Sequence, residues 1–415
     1  MKPQPRIVFV DNSLDSFRRD RMQLVQAARD LGLEIHVAAP RSRSGDDSTN
    51  QAFVFHAIPM TRKGTSIWKE PATVLALLRL YRSLRPSLVH HLRLKPVLYG
   101  SLAANLAGVP AVVNTLTGLG FLFTDRSEKT TPVRKWVEMG CRRAFRHPNL
   151  RVVFQNPDDR AVFIRAGILT GEQAAVIKGS GVDLSVYRPT PEPEGVPIVI
   201  LASRMLWDKG VAQFVEAARI LRSQGVQARF ALAGAPDPDN PAAIPYEQLE
   251  VWRDAGEIEW WGLQNSQNMP AVLAKSHIVC LPSYREGIPR ILIEAAASGR
   301  PIVTTDAPGC RELVRPGING IIVPSRDTTS LVSALRFLIE HPETRISMGA
   351  NNRQIAVQEF SQELVISQFV AVYRDLLRAS RGPTAPSQAP STAKEKLRTM
   401  HGSALPAQLR SPERS

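Results

Sequence analysis

Short apolar runs that alternate with helical stretches constrain the fold of this chain more than any other feature. The runs RIVFV (6–10) and EIHVAA (34–39) are typical of buried strands, and residues 17–31 between them have the spacing of an amphipathic helix. The same alternation continues to about residue 166. Such a pattern predicts a parallel sheet with helices on both faces, a doubly wound α/β domain.

A second series of the same kind begins at the run PIVILA (197–202) and continues to a helix over residues 328–340. The sequence therefore predicts two α/β, Rossmann-like domains. In open sheets of this type ligands bind beyond the C-terminal ends of the strands. Two such domains facing one another would form a cleft lined by the loops at residues 11, 115, 203 and 284.

Glycines and prolines between residues 178 and 193 interrupt any regular element and indicate where the two halves meet. We predict an N-terminal domain over residues 1–180, a C-terminal domain over 181–360 and a helix over 361–380 that can cross back to the N-terminal domain. Residues 381–415 are rich in Pro, Ser, Ala and charge, which predicts a disordered basic tail.

Composition bears on compartment and partners. The three cysteines are scattered without metal-ligand spacing, no signal peptide is recognisable, and no run of 18 uncharged apolar residues occurs, so we expect a cytoplasmic protein that does not span a membrane. The net charge of +14 favours an anionic partner, whether membrane surface, nucleic acid or polyphosphate. The alternative is that the arginine content reflects the source genome.

The motif PSYREGIPRILIE places two carboxylates, Glu286 and Glu294, around a turn that opens a helix. Pro289 suits the first helical position, where its missing N–H costs nothing. The N–H groups of Gly287 and Ile288 would then point outward at a helix N-terminus, which favours anions. This set suits a ligand with both phosphates and hydroxyls. The alternative is a surface helix with two solvated glutamates.

The loop after PIVILA reads SRMLWDKG and carries two cations, Arg204 and Lys209. Arginine offers a bidentate fork and lysine a compact charge, so both could reach a diphosphate held near the Gly287 N–H group. Taken alone, the pair could equally form a solvated turn.

Together with GSGVDLSVYRP and GINGIIVP, these motifs resemble the glycosyltransferases of family 4, over about residues 6–377. The resemblance implies two facing Rossmann-like domains, the GT-B fold, and retaining transfer from a sugar nucleotide. Arg204 and Lys209 would contact the donor diphosphate, and Glu294 would accept hydrogen bonds from the ribose hydroxyls. Other positions would surround the transferred sugar: Ser283, Glu286, Gly287 and Ile288.

This resemblance also implies a chemistry. Cleavage of the bond between the anomeric carbon and the phosphate generates an oxocarbenium-like centre, and cations and helix-end N–H groups would stabilise the departing diphosphate. The acceptor would attack from the face that the leaving group departs, with the diphosphate as the base. With the diphosphate stabilised by these groups, we expect no metal and no cofactor besides a UDP-sugar donor.

The stretch HHLRLKPVLYGSLAANLAGVPAVVNTLTGLGFLF resembles the branch that acts on polyprenyl-diphosphate-linked sugars, such as the bacillosaminyl-lipid N-acetylgalactosaminyltransferases. Many family members carry a His where this chain has Thr117, which puts a histidine role there in doubt. Lys95, Thr117, Gly118 and His90 are the predicted acceptor-side residues. Alternatively, His90 is a packing residue, as is its neighbour His91, and Lys95 is a solvated helix start.

Residues 133–151 combine six basic residues and one acid with an apolar face that includes Trp136. This predicts an interfacial helix on anionic lipid, hence peripheral association with the inner face of the membrane. The alternative is a core-packing helix with a solvated basic face. Nucleic acid is not expected as a partner because no binding module is recognisable.

The sequence thus favours a retaining glycosyltransferase that moves an N-acetylhexosamine from UDP to a lipid-diphosphate-linked saccharide in surface polysaccharide or glycan assembly. Two alternatives stay open. One is a nucleotide-sugar epimerase or a phosphorylase on the same fold, and the other is a non-catalytic protein that binds a nucleotide sugar.

Overall fold

The computed structural model describes residues 4–42, 52–60, 70–118, 131–238 and 240–380, and the side chains of 70 and 131–136 are not described. The predicted tail over 381–415, most of the predicted loop at 42–50, and Trp136 as a membrane-facing side chain therefore lie outside the described residues. So do Leu119 and Gly120 of the Thr-Gly-Leu-Gly motif.

Seven parallel strands form the sheet of the N-terminal lobe, in the order β3-β2-β1-β4-β5-β6-β7. The central strands carry consecutive apolar residues because helices cover both faces of the sheet. The strands are β1 Arg6–Val10, β2 Glu34–Ala39, β3 Val54–Ala57, β4 Leu88–Leu92, β5 Val112–Leu116, β6 Leu150–Phe154 and β7 Ala174–Val176.

Five helices of the described residues belong to this lobe, and their starts follow local signals. Ser13 and Asn156 each cap a helix through a side-chain oxygen, and proline occupies the first position after Asn156. The helices are α1 Leu14–Asp30, α2 Glu70–Leu84, α3 Leu94–Ala107, α4 Thr131–Ala144 and α5 Pro157–Arg165.

The C-terminal lobe contains a six-stranded parallel sheet in the order β10-β9-β8-β11-β12-β13. Its strands are β8 Ile198–Ala202, β9 Arg229–Ala233, β10 Glu259–Trp260, β11 Ile278–Leu281, β12 Ile302–Thr305 and β13 Gly320–Val323. Its helices are α6 Val211–Ser223, α7 Tyr246–Asp254, α8 Met269–Ala274, α9 Arg290–Ala297, α10 Thr328–Glu340 and α11 Pro342–Glu359. The prediction of two doubly wound parallel sheets is confirmed.

Two details differ from the predictions. Pro289 is the N-cap of α9 rather than its first helical residue, because its ψ of 117° is extended. The predicted basic helix over 133–151 ends at Ala144, and Arg151 lies in β6, where Leu150–Phe154 pairs with β5.

The last helix, α12 Gln362–Ala379, packs against α1 in the N-terminal lobe. Its buried residues Phe369 and Tyr373 belong to the same apolar core as Phe9 and Phe17. The chain passes between the lobes at two adjacent places, since the Val182 N–H donates to the Phe360 carbonyl at 2.9 Å and the Gln362 N–H donates to the Val182 carbonyl at 3.0 Å. The described residues up to Ser380 form one compact unit.

Candidate active site

The loop between β11 and α9 meets the N-terminal lobe at the C-terminal ends of that lobe's strands. Gly287 lies so close to the Thr117 carbonyl and the Gln155 side chain that a Cβ at position 287 would overlap both. Gly118, with a φ of +131°, also lies against this backbone, since a Cβ there would be 3.3 Å from the Gly287 nitrogen. The structure therefore brings Thr117 and Gly118 against Gly287, as the two predicted halves of one site require.

Lys209, Ser283 and Glu286 form a polar cluster beside this contact. The Lys209 ammonium forms an ion pair with Oε1 of Glu286, and the Ser283 hydroxyl donates to the same oxygen at 3.0 Å. Both charged side chains are mostly buried. Lys209 reaches this position from a single 3₁₀ turn after β8, where Gly210 has a φ of +73° and packs on the Pro282 carbonyl. A cation and a carboxylate are thus held together at the start of α9.

Two backbone groups of the loop have partners from the N-terminal lobe. The Ile288 N–H donates to Oε1 of Gln155 at 3.3 Å, and the Asn156 side-chain amide donates to the Gly287 carbonyl at 2.8 Å. Sequence reasoning did not single out Gln155 or Asn156. Their signal was available, because Asn156-Pro157 begins a helix directly after a strand and therefore lies at the ligand-binding edge of the sheet.

Ion pairs add to the contact between the lobes. Asp159 in the first turn of α5 pairs with Arg285, and both side chains are shielded from solvent, with 1% and 16% of their surface exposed. Burial raises the pKa of Asp159, and the nearby Arg285 guanidinium opposes that shift. Its neighbour Asp158 makes a longer and more exposed contact with Arg311, at 3.6 Å.

Glu294 does not stand free on α9. It is buried and accepts a hydrogen bond from Nε of Arg290 at 2.6 Å, and Arg290 also reaches Asp20 on α1 at 2.5 Å. Burial raises the pKa of Glu294, although Arg290 partly offsets the effect. For Asp20, burial alone would raise the pKa, but Arg19 and Arg290 outweigh it, so the pKa is lowered. The predicted ribose carboxylate is therefore linked to the other lobe through one arginine.

Arg204 pairs with a different carboxylate from the one that Lys209 contacts. Its guanidinium pairs with Asp237 at 2.9 Å, beyond the ends of β8 and β9, and half of its side-chain surface is exposed. The structure thus joins Lys209 to Glu286 and pairs Arg204 with another carboxylate.

His90 was expected near the cleft, and the structure corrects this. Its ring is fully buried under α12, with Nδ1 2.7 Å from the Tyr373 hydroxyl and Nε2 2.7 Å from the Thr115 hydroxyl. Burial holds its pKa well below the ordinary value, so the ring is neutral. The adjacent His91 is also buried, which lowers its pKa to about 4. Both histidines are core residues, because β4 is covered by helices on both faces.

Lys95 lies in the first turn of α3, two residues after Arg93. Within the described ranges, no group of three or more His, Cys, Asp or Glu residues is arranged to hold a metal ion. Among the helices of those same ranges, none is long and apolar enough to cross a membrane.

Comparison with known proteins matches each lobe to a glycosyltransferase family. Residues 7–146 match the family described as "Glycosyl transferase 4-like", and residues 187–355 match "Glycosyl transferases group 1". The chain is 24% identical to the N,N'-diacetylbacillosaminyl-diphospho-undecaprenol alpha-1,3-N-acetylgalactosaminyltransferase of Campylobacter jejuni, over 90% of this chain and 99% of that protein. It is also 24% identical to the UDP-Gal:alpha-D-GlcNAc-diphosphoundecaprenol alpha-1,3-galactosyltransferase of Escherichia coli, over 84% and 89% of the two chains.

Solved structures share the architecture at lower identity. The sucrose-phosphate synthase of Thermosynechococcus elongatus superposes with a TM-score of 0.77 at 18% identity, over 91% of this chain and all of that one. The Anabaena protein HepE, solved in complex with UDP, superposes with a TM-score of 0.70 at 18% identity, over 89% of this chain and all of that one. These likenesses confirm the predicted GT-B arrangement of two parallel-sheet lobes.

Proposed function

Because this chain belongs to the glycosyltransferases that combine a 4-like N-terminal domain with a group 1 C-terminal domain, we propose that it transfers a sugar from UDP to a polyprenyl-diphosphate-linked saccharide. The relatives from C. jejuni and E. coli, each aligned over most of both chains, are named for undecaprenol-diphosphate-linked acceptors. The first is named for N-acetylgalactosamine, which supports an N-acetylhexosamine as the transferred sugar.

The observation that carries this proposal is the cluster of Lys209, Ser283 and Glu286 beside the tight contact of Gly287 with Thr117. A cation and a carboxylate meet where the two lobes touch. A sugar nucleotide needs these groups together, because its diphosphate calls for positive charge and its sugar hydroxyls call for acceptors. On binding, the donor diphosphate would replace Glu286 as the partner of the Lys209 ammonium.

The proposed reaction is retaining. As the bond from the anomeric carbon to the phosphate oxygen breaks, negative charge gathers on the diphosphate, where Lys209 would stabilise it. One such donor is worth about 10²–10³ in kcat. The departing diphosphate would take the proton of the attacking acceptor hydroxyl on the same face of the sugar. We expect the reaction to proceed without a metal.

The test is a panel of UDP-, GDP- and TDP-sugars offered with a polyprenyl-diphosphate-linked monosaccharide, with mass measurement of the lipid product. We expect a one-sugar mass increase with UDP-N-acetylhexosamine that survives chelation of divalent metals, and an anomeric configuration, read by NMR, equal to that of the donor. Lys209→Met and Glu286→Gln should each lower kcat by about 10²–10³.

Other outcomes of the same panel would contradict the proposal. A changed free sugar nucleotide without lipid product would indicate an epimerase. Phosphate-dependent release of a sugar phosphate would indicate a phosphorylase. Binding of UDP with no turnover on any acceptor would indicate a binding protein. Full activity of the Lys209 and Glu286 variants would show that the site is elsewhere.

We further propose that the protein associates peripherally with the inner face of the membrane through α4 and the residues after it. Arg142, Arg143 and Arg146 are exposed there, and Met139 exposes about half of its surface beside them, whereas Cys141 faces the core. Each arginine close to an anionic surface contributes about 1 kcal/mol.

Flotation with liposomes that contain anionic lipid tests this contact. The triple Gln variant at positions 142, 143 and 146 should lose most of its binding. A matched control removes three exposed arginines of the C-terminal lobe instead: Arg222, Arg229 and Arg253. Equal loss in both variants would show that net charge alone, rather than this surface, governs binding.

A further inference from the structure

A buried charged cluster lies at the C-terminal edge of the N-terminal sheet, apart from the Lys209–Glu286 pair. Asp11 follows β1, Arg93 follows β4, and Arg21 lies on α1. Asp11 is 2% exposed and pairs with Nε of Arg93 at 3.1 Å, and Arg21 is only 8% exposed. Arginine is almost never buried to this extent without a compensating anion.

The cluster carries more positive than negative charge. Asp11 is close to both arginines and is the carboxylate that Arg93 pairs with. Among the described residues the other carboxylate near Arg21 is Asp20, which Arg19 and Arg290 already share. Burial lowers the pKa of Arg21, and the positive charge of Arg93 lowers it further. A buried excess of positive charge is stabilised when an anion binds.

Arg93 also has an unusual backbone. Its φ is +75° and its ψ is 164°, a conformation that non-glycine residues rarely adopt. Two hydrogen bonds hold this backbone: the Arg93 N–H donates to the Thr115 carbonyl at 2.8 Å, and the Val97 N–H donates to the Arg93 carbonyl at 3.0 Å. Backbones of this kind persist where the surrounding structure imposes them, and they concentrate at ligand sites. About a third of the Arg93 side chain is exposed, so it can still reach a ligand.

The same position begins α3, and the start of this 14-residue helix lacks its usual compensation. Arg93 is the N-cap but makes no side-chain capping hydrogen bond, and the first turn contains no acidic residue. Cations at a helix N-terminus oppose the helix dipole, and anions favour it. Beside Asp11, Oδ1 of Asn12 is buried and has no hydrogen-bond partner among the described residues. This oxygen could accept a hydrogen bond from a hydroxyl group.

We propose that Arg93, Arg21 and the start of α3 form a binding subsite for the diphosphate of the lipid-linked acceptor, with Asp11 orienting the Arg93 guanidinium. The guanidinium fork matches phosphate oxygens. This inference rests on the proposed transfer to a diphosphate-linked acceptor.

The fold explains why this phosphate belongs to the acceptor. β4 and β5 are neighbouring strands, about 5 Å apart, and the loop after β5 carries Thr117 and Gly118, which contact the donor loop at Gly287. Arg93 at the end of β4 therefore lies about one strand further from the donor loop. The proposal therefore places the acceptor's diphosphate at Arg93 and its sugar towards the donor loop.

The experiment measures the affinity of inorganic pyrophosphate by calorimetry with UDP at saturation, so that the donor site is filled. We compare Arg93→Met and Arg93→Gly with Arg85→Met. Arg85 is a matched control, because it also has a left-handed backbone (φ 48°) but is exposed before β4, at the opposite end of the strand. Arg93→Gly relieves the backbone strain, so it guards against a variant that fails only because it misfolds.

We expect both Arg93 variants to weaken pyrophosphate binding by 10- to 100-fold, with UDP affinity within twofold of the wild type and Arg85→Met unchanged. In transfer assays the KM for the acceptor should rise at least tenfold while the KM for the donor stays the same. Absence of pyrophosphate binding in the wild type, or unchanged binding in both Arg93 variants, overturns the subsite. An equal loss of UDP affinity overturns its assignment to the acceptor. If the wild type shows no transfer but binds pyrophosphate through Arg93, the subsite stands and the proposed reaction fails.

Discussion

The ion pair between Asp159 and Arg285 gives a quantitative test of how the two lobes hold the donor loop. Asp159→Asn would leave the Arg285 guanidinium without its charge partner in a position where 16% of its side chain is exposed. Removing one partner of a buried pair costs about 3–5 kcal/mol. The contact that positions Gly287 and Ile288 should weaken accordingly.

The neighbouring residue supplies a matched control. Asp158→Asn removes the same charge, one position away, from a contact with Arg311 in which 46% and 37% of the two side chains are exposed. Exposed pairs contribute at most about 1 kcal/mol. The two variants therefore differ in the burial of the lost partner and not in net charge.

Hydrogen exchange measured by mass spectrometry reads the difference at the loop. A loss of 3 kcal/mol corresponds to about a hundredfold faster exchange of the Ile288 amide, which Gln155 protects. Asp158→Asn should change that rate less than about fivefold. The double variant Asp159→Asn/Arg285→Met should recover most of the protection, because no unpaired charge remains. Equal exchange in the two single variants would refute the account of this contact.

Three further outcomes follow from the packing. Gly309→Ala should abolish transfer, because Gly309 has a φ of +82° and a Cβ there would overlap the Gly287 carbonyl. The control Gly317→Ala, at a φ of +76° in open space, should lower the free energy of unfolding by only about 1–2 kcal/mol, as measured by thermal unfolding. Because the pKa of Asp20 is lowered in the folded state, its carboxylate stabilises the fold above the unfolded value near 3.8, and this stabilisation is lost as the pH falls below that value. Asp20→Asn should therefore reduce the pH dependence of the urea midpoint between about pH 6 and pH 3. His90→Gln should lower the free energy of unfolding by about 1–3 kcal/mol and leave both KM values within twofold.

Much of the fold could be predicted because its central strands are continuous apolar runs. The strands Arg6–Val10 and Glu34–Ala39 have the predicted bounds. Strand β3 was missed because its residues are half-exposed at the sheet edge, and β7 because it has only three residues. Helix α11 was missed because its sequence has little amphipathic periodicity.

The site was only partly readable from spacing. Lys209 and Glu286 could be predicted because each follows a strand of one sheet, and such ends share an edge. Whether Arg204 turns towards them or towards Asp237 depends on side-chain packing that spacing does not encode. The pairing of Arg290 with Asp20 spans 270 positions and depends on how the lobes meet. His90 was misplaced because burial by α12, far along the chain, is invisible locally.

The contribution of α12 to the N-terminal core has a consequence for biosynthesis. Phe369 and Tyr373 fill space beside Phe9 and His90, so the first lobe to leave the ribosome lacks part of its interior until nearly 200 more residues have been translated. The second lobe can complete its own sheet sooner. Folding order would then run opposite to the order of synthesis, and the nascent first half would expose an apolar groove to chaperones until the final helix arrives.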